Sequence, residues 1–311
     1  MKLQHLSLIL VLILFSGTTC AATLWDKLND EVETFYQQGD YKGAAVAAKK
    51  ALQAAEQGLE PDHPDIATSL NSLAMIHSAQ GHYKEAEPLL KRAQAIFEKS
   101  LGAESPEVAT TLNNLAMLYR NKGDYAEAES LYKRALAIDE KAFGEEHPNV
   151  AASLNNLAQL YQAQGQYPQA EPLLKRAVAI LEKTGGPHHP NLAMSLNNLA
   201  LLYNAQKQYA KAEPLYKRVF AITKIAFGPN HPNVALSLNN LGGLYKDQGK
   251  YPHAEPLFRR ALLISEETLG PDHPNVATSL ENLAQLYREI GYLHKAEPLA
   301  KRAAAIRAAQ R

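Results

Sequence analysis

One interval governs this chain, and it is 42 residues long. Stepping by it from His63-Pro64 lands on Pro64, Pro106, Pro148, Pro190, Pro232 and Pro274. The same step joins Glu87, Glu129, Glu171, Glu213, Glu255 and Glu297, and likewise Arg92, Arg134, Arg176, Arg218, Arg260 and Arg302. Ile96, Ile138, Ile180, Ile222, Ile264 and Ile306 form a third identical column. Six units follow, at 64–105, 106–147, 148–189, 190–231, 232–273 and 274–311. A degenerate unit fits 23–62, where Gly39, Tyr41 and Ala44 stand one period before Gly81, Tyr83 and Ala86. A period of this length without insertions dictates a repeat architecture.

Each unit reads as two helices. In the unit opening at Pro106, Val108, Leu112, Leu115, Ala116, Leu118 and Tyr119 recur at helical spacing. Asn121-Lys122-Gly123-Asp124 makes a turn, and Tyr125, Ala128, Leu131, Tyr132, Ala135 and Ile138 continue on a second helix. Proline is tolerated in the first helical turn, where its missing N–H has no partner in any case. One such hairpin cannot bury its apolar faces alone, so successive hairpins must stack. The predicted fold is all-α: an α-solenoid of about seven helix-turn-helix hairpins over residues 23–311. The length of 311 residues alone suggests two domains; the repeat replaces that with one array.

Residues 1–22 read as a secretory signal peptide. Lys2 supplies the positive start, Leu6–Phe15 the apolar run, and Cys20-Ala21-Ala22 a small-residue cleavage site. The run is too short to span a bilayer as a helix. The alternative is a lipoprotein signal acylating Cys20, against which Gly17, Thr18 and Thr19 make a poor lipobox. Cleavage removes the one Cys of the chain, which suits an oxidising compartment. The expected location is periplasmic or secreted, with membrane attachment only if Cys20 is lipidated.

The string Leu154-Asn155-Asn156-Leu157-Ala158-Gln159-Leu160-Tyr161, then Gly165-Gln166-Tyr167, then Ala170-Glu171-Pro172-Leu173-Leu174-Lys175-Arg176-Ala177, resembles the tetratricopeptide repeat. The period of 42 residues and the Leu-Asn-Asn-Leu-Ala core resemble its kinesin-light-chain-like class. The resemblance covers residues 23–311. It implies a right-handed superhelix whose inner groove, lined by the first helix of each pair, binds peptides or protein segments. The signal peptide departs from cytosolic motor-protein members and points to a bacterial exported protein.

The groove face of each first helix is the one opposite its apolar positions. One column there runs Asn71, Asn113, Asn155, Asn197, Asn239 and then Glu281; its neighbour runs Ser72, Asn114, Asn156, Asn198, Asn240 and Asn282. Asn is a poor helix-interior residue, so its repetition needs a reason. Its amide carries donors and an acceptor, and a row of amides can pair with an extended peptide whatever the peptide's sequence. The other use is to bond the adjacent helix and lock the stack. The Asn113 column leans to the groove and the Asn114 column to the stack. Specificity falls to the variable positions Met75, Met117, Gln159, Leu201, Gly243 and Gln285, and beyond them Ser78, Arg120, Gln162, Asn204, Lys246 and Arg288. The groove is expected to be polar and mostly neutral, with scattered positive charge and without a single-sign stripe.

Other chemistry is weakly signalled. Lys plus Arg and Asp plus Glu are 32 each, so no overall charge draws the chain to nucleic acid. His63, His147, His189, His231 and His273 recur once per unit. Stacked helices lie about 8–10 Å apart, too far for neighbouring columns to share a zinc. Ser105 holds the same column, so helix capping is the better reading. The Glu87 and Arg92 columns, repeated in every unit, read as scaffold ion pairs, and the Tyr119 column as core. No phosphate-binding glycine loop, nucleophile elbow or HExxH string occurs. The expected function is a non-enzymatic scaffold for protein or extended peptide segments, needing no cofactor or metal. A self-assembling solenoid with an unused groove is the alternative.

Overall fold

A computed structural model describes residues 24–309, so the signal-peptide reading lies outside the described residues. The described residues form seven hairpins of α-helices, with no strand among them. The first is α1 (Leu24–Gln37) with α2 (Tyr41–Gly58); the second is α3 (Pro64–Ala79) with α4 (Tyr83–Leu101). Then come α5 (Pro106–Lys122) with α6 (Tyr125–Phe143), α7 (Pro148–Ala163) with α8 (Tyr167–Gly185), and α9 (Pro190–Ala205) with α10 (Tyr209–Phe227). The last two are α11 (Pro232–Asp247) with α12 (Tyr251–Leu269), and α13 (Pro274–Glu289) with α14 (Leu293–Ala309). None of these helices is long and apolar enough to cross a membrane.

The recurrent His-Pro pair starts each inner helix by a defined mechanism. Proline occupies the first turn, and the preceding imidazole Nδ1 accepts a hydrogen bond from the backbone N–H two residues on. This occurs at His63 to Asp65 (3.2 Å), His147 to Asn149 (3.2 Å), His189 to Asn191 (3.2 Å), His231 to Asn233 (3.1 Å) and His273 to Asn275 (3.1 Å). Ser105 caps α5 through Oγ instead, accepting from the Val108 N–H at 3.4 Å. Each bond satisfies one of the orphan donors at a helix start. Phe143 and Phe227 stack on two of these rings, with centroids 4.6 and 4.7 Å from His147 and His231.

Packing is continuous from unit to unit. Leu157, Leu199, Leu241, Tyr132 and Tyr216 belong to one buried cluster that crosses several hairpins. Adjacent inner helices touch directly: α3 with α5, α5 with α7, α7 with α9, and α11 with α13. Helices converge on the concave side of a curved stack, so the odd-numbered helices form the inner wall. Between the inner and outer helices, Tyr119, Tyr161, Tyr203, Tyr245 and Tyr287 donate from their hydroxyls to Glu87, Glu129, Glu171, Glu213 and Glu255 of the preceding unit, at 2.8–3.1 Å. Arg92, Arg134 and Arg176 reach back one unit to Glu56, Glu98 and Glu140 at 2.5–2.8 Å. The repeated charges therefore join units, with Lys91, Lys122 and the Tyr119 hydroxyl holding the Glu87 carboxyl down at about 2.

The superhelix meets itself. The turn of the first hairpin lies against the loop before α13. Gly39 is buried there, while Gly81, Gly123, Gly165, Gly249 and Gly291 at the same turn position are exposed. A Cβ on Gly39 would stand 2.9 Å from Pro274 Cδ and 3.2 Å from His273 Nε2. Gly39 also has φ of +75°, so two constraints demand glycine. A cavity of about 370 Å³ beside the contact is lined by Tyr41, Lys42, Pro271, Asp272 and Ala309, among others. Six steps along the array thus complete one turn.

Candidate binding groove

The two asparagine columns form a ladder between units. Asn71 donates from Nδ2 to Thr111 Oγ1 at 2.9 Å, Asn113 to Ser153 Oγ at 3.1 Å, Asn155 to Ser195 Oγ at 2.7 Å and Asn239 to Ser279 Oγ at 2.9 Å. The second column returns the bond. Asn156 donates to Asn113 Oδ1 at 3.4 Å, Asn198 to Asn155 Oδ1 at 3.2 Å and Asn240 to Asn197 Oδ1 at 2.7 Å. Asn155, Asn198 and Asn239 are buried, while Asn113, Asn114, Asn156, Asn197 and Asn240 keep part of their surface accessible. The columns are therefore linked parts of one network, and most of their hydrogen-bonding capacity goes to the stack. The expected division, one column to the groove and one to the stack, is not what the geometry draws.

The next column behaves alike. Arg120 is buried and donates to Gln159 Oε1 at 3.0 Å. Gln162 donates to the Asn198 carbonyl at 3.1 Å, Asn204 to Asp247 at 2.8 Å, and Lys246 to Glu289 at 3.3 Å. Each crosses to the following unit.

The acceptor half of the ladder escaped the sequence reading. Ser69, Thr111, Ser153, Ser195, Ser237 and Ser279 form a hydroxyl column at the same step. Its signal was there, in a small polar residue recurring between apolar neighbours. At the first hairpin, Asn29 continues the Asn71 column, but Trp25 Nε1 takes its place as donor to Ser69 Oγ at 2.7 Å. At the far end Glu281 replaces the last asparagine. It accepts from Arg307 Nε of its own hairpin at 3.2 Å, and the same guanidinium donates to Thr278 at 2.8 Å. Both ends of the ladder are closed within the chain.

Between the rungs the wall changes character along its length. At the C-terminal half, Leu201 is 40% exposed and Leu236 37% exposed, large values for leucine within a repeat core. Met194 lies half-buried one period before Leu236, and Gly243 stands one period after Leu201. At the N-terminal end the wall is acidic, contrary to the neutral groove expected. Asp30 and Glu33 on α1 occupy the places of Ser72 and Met75, one period earlier. Asp65 and Glu107 hold the place that is Asn149, Asn191, Asn233 and Asn275 in later units. Burial raises the Asp65 carboxyl, His63 lowers it, and nearby Asp26 raises it further. Among the described residues, no three His, Cys, Asp or Glu side chains converge as metal ligands would.

Stacked helical hairpins with a ladder along the inner wall define an α-solenoid. The profile of the tetratricopeptide repeat matches residues 27–99, 107–183, 160–225, 191–262 and 234–309, and the chain belongs to that family. It is similar to the crystal structure of a Podosopora anserina putative kinesin light chain with nearly identical TPR-like repeats. Identity there is 33%, coverage 66% of this chain and 98% of that one, and TM-score 0.54. BtubC (BKLC) from P. vanneervenii is 26% identical over 74% of this chain and 91% of its own, with TM-score 0.59. A Rap protein complexed with Competence and Sporulation Factor shares the fold at 18% identity, covering 93% of this chain and 76% of that one, with TM-score 0.69. No curated protein matches the chain.

Proposed function

We propose that this chain is a non-enzymatic, exported scaffold whose inner wall binds an extended protein or peptide segment. One observation carries the reading: Leu201 and Leu236, large apolar side chains, stay exposed on a wall whose asparagine rungs bond mostly to one another and to the hydroxyl column. Apolar side chains presented along a concave wall are the kind of surface on which a peptide's side chains can bury area. The Rap structure with Competence and Sporulation Factor supports the reading by analogy of fold. The half-buried amides Asn113, Asn156, Asn197 and Asn240 have surface left for a bound backbone.

The test uses the chain without residues 1–22 and an array of synthetic dodecapeptides, read by fluorescence anisotropy. Leu201→Gln and Leu236→Ala adopt the residues of Gln159 and Ala152 in the same columns, so the fold tolerates them. The double variant is expected to lose peptides that the parent binds while keeping its helical circular dichroism. Retained binding overturns the groove as the site. Export is tested separately: fractionation of cells with N-terminal sequencing finds either a chain cut after Ala22 or one starting at Met1.

The alternative of end-to-end assembly finds less support, because Glu281–Arg307 and Trp25–Ser69 close the ladder at both ends. Sedimentation across concentration is expected to show a monomer.

A further inference from the structure

The inner wall has two unlike regions, and the closure of the superhelix sets where they stand. The acidic region lies in units 1 to 3, on Asp30, Glu33, Asp65 and Glu107. No Lys or Arg occupies a groove position there before Arg120, which is buried against Gln159. The apolar region lies in units 5 and 6, on Met194, Leu201 and Leu236. Six steps complete one turn, as the Gly39 contact with Pro274 shows. Units 2 and 5 are three steps apart, about half a turn in a solenoid of constant rotation per repeat. Asp65 therefore stands about half a turn from Met194 and Leu201, and Glu107 about half a turn from Leu236, across the channel.

The ladder is incomplete at two rungs. Asn71 Oδ1, in the acidic region, and Asn239 Oδ1, one turn from Leu236, are buried acceptors that meet no donor. Elsewhere the next unit's asparagine supplies that donor, as Asn156 and Asn198 do. Asn239 is 6% exposed, and a buried amide oxygen without a partner is costly. Both oxygens are enclosed, so they mark weak rungs of the ladder and are not contacts for a bound segment.

We propose that the channel takes a cationic amphipathic peptide segment, with Lys or Arg against Asp30, Glu33, Asp65 and Glu107 and bulky apolar side chains against Met194, Leu201 and Leu236. This rests on the groove reading above and deepens it. An extended strand places alternate side chains on opposite faces, so a strand of alternating charge and bulk presents one face to each wall. Charge complementarity selects the partner, while the apolar wall supplies affinity.

The experiment compares three dodecapeptides, of alternating Lys and Leu, alternating Glu and Leu, and alternating Lys and Ser. Binding is read by anisotropy at physiological salt. The proteins are the parent chain without residues 1–22, Asp65→Asn with Glu107→Asn, and Leu201→Gln with Leu236→Ala. The acidic-wall variant again borrows from the array, since Asn149 and Asn191 hold the same place. The Lys-Leu peptide is expected to bind at least about tenfold more tightly than either other peptide. Each double variant is expected to weaken it by about tenfold, and added salt to weaken it in the parent but less in the acidic-wall variant. Equal binding of Lys-Leu and Glu-Leu, both lost with Leu201→Gln and Leu236→Ala, overturns the charge selection and leaves the groove standing. Binding that neither double variant changes overturns both.

Discussion

Lys207 adopts φ of +59° at the turn position that is glycine in the other hairpins, and it is the one non-glycine residue among those described with positive φ. A left-handed backbone costs an L-residue roughly 1–2 kcal/mol, partly offset by the greater freedom glycine loses on folding. Lys207→Gly is therefore expected to stabilise the chain by about 0.5–1 kcal/mol, read as a higher midpoint in urea. Asp139 carries a burden of another kind. It is 6% exposed, accepts from Ser153 Oγ at 2.5 Å, and burial pushes its carboxyl up to about 6. Folding thus favours its protonated form. The stability it lends is complete below the ordinary carboxylate range and is lost as pH rises through about 6. Asp139→Asn is expected to raise stability at pH 7.5 by up to about 3 kcal/mol and to change little at pH 4, measured by denaturation at both. His231 works in the opposite sense. Its Nδ1 accepts the capping bond from Asn233 N–H at 3.1 Å, and burial lowers its pKa. Its contribution is present above the ordinary histidine range and is lost as pH falls through the lowered value. His231→Ser, which keeps a cap as Ser105 does, is expected to reduce acid destabilisation, visible as a shallower loss of melting temperature below pH 6.

At the scale of helices, the ladder decides how hairpins hold together. Asn155 is 1% exposed and bonds both Ser195 Oγ and the Ala151 carbonyl while accepting from Asn198. Replacing it leaves buried polar groups without partners. Asn155→Ala is expected to cost roughly 1–3 kcal/mol, whereas Asn114→Ala, at a half-buried site, is expected to cost little. Thermal melting of the two variants checks the contrast. Helix positions, caps and turns were legible because each depends on residues within one unit or at the same place in the next. His147-Pro148 starts a helix wherever it stands. The partner of Asn113 was not legible in the same way: Ser153 lies 40 residues on, not 42, and that offset arises from the stagger between stacked helices. A column read at the exact period sees two rows of asparagine. It does not see which atoms face each other. Position 139 is Asp between Phe97 and Leu181 in its column, a departure that marks one junction as polar, but only burial shows its effect.

For the molecule as a whole, stability should be close to a sum of hairpins and their interfaces, with one contact outside that rule. The turn at Gly39 meets Pro274 across six units. Superhelical closure accumulates from a small rotation at every junction, so no single string of residues announces it. The acidic wall was obscured for a different reason: α1 lacks the Leu-Asn-Asn string that marks the inner face of the later units, so Asp30 and Glu33 are placed only by the period. Closure also makes the chain behave like a split washer. A segment much longer than the channel must thread in end first or wait until the first hairpin springs away from the loop before α13. Gly39→Leu puts a side chain where even a Cβ has no room and is expected to hold the gap open. In stopped-flow binding, association and dissociation should then both quicken, with the ratio of the two nearly unchanged. The contact between the ends would in that case govern how long a guest stays, while the wall governs which guest is chosen.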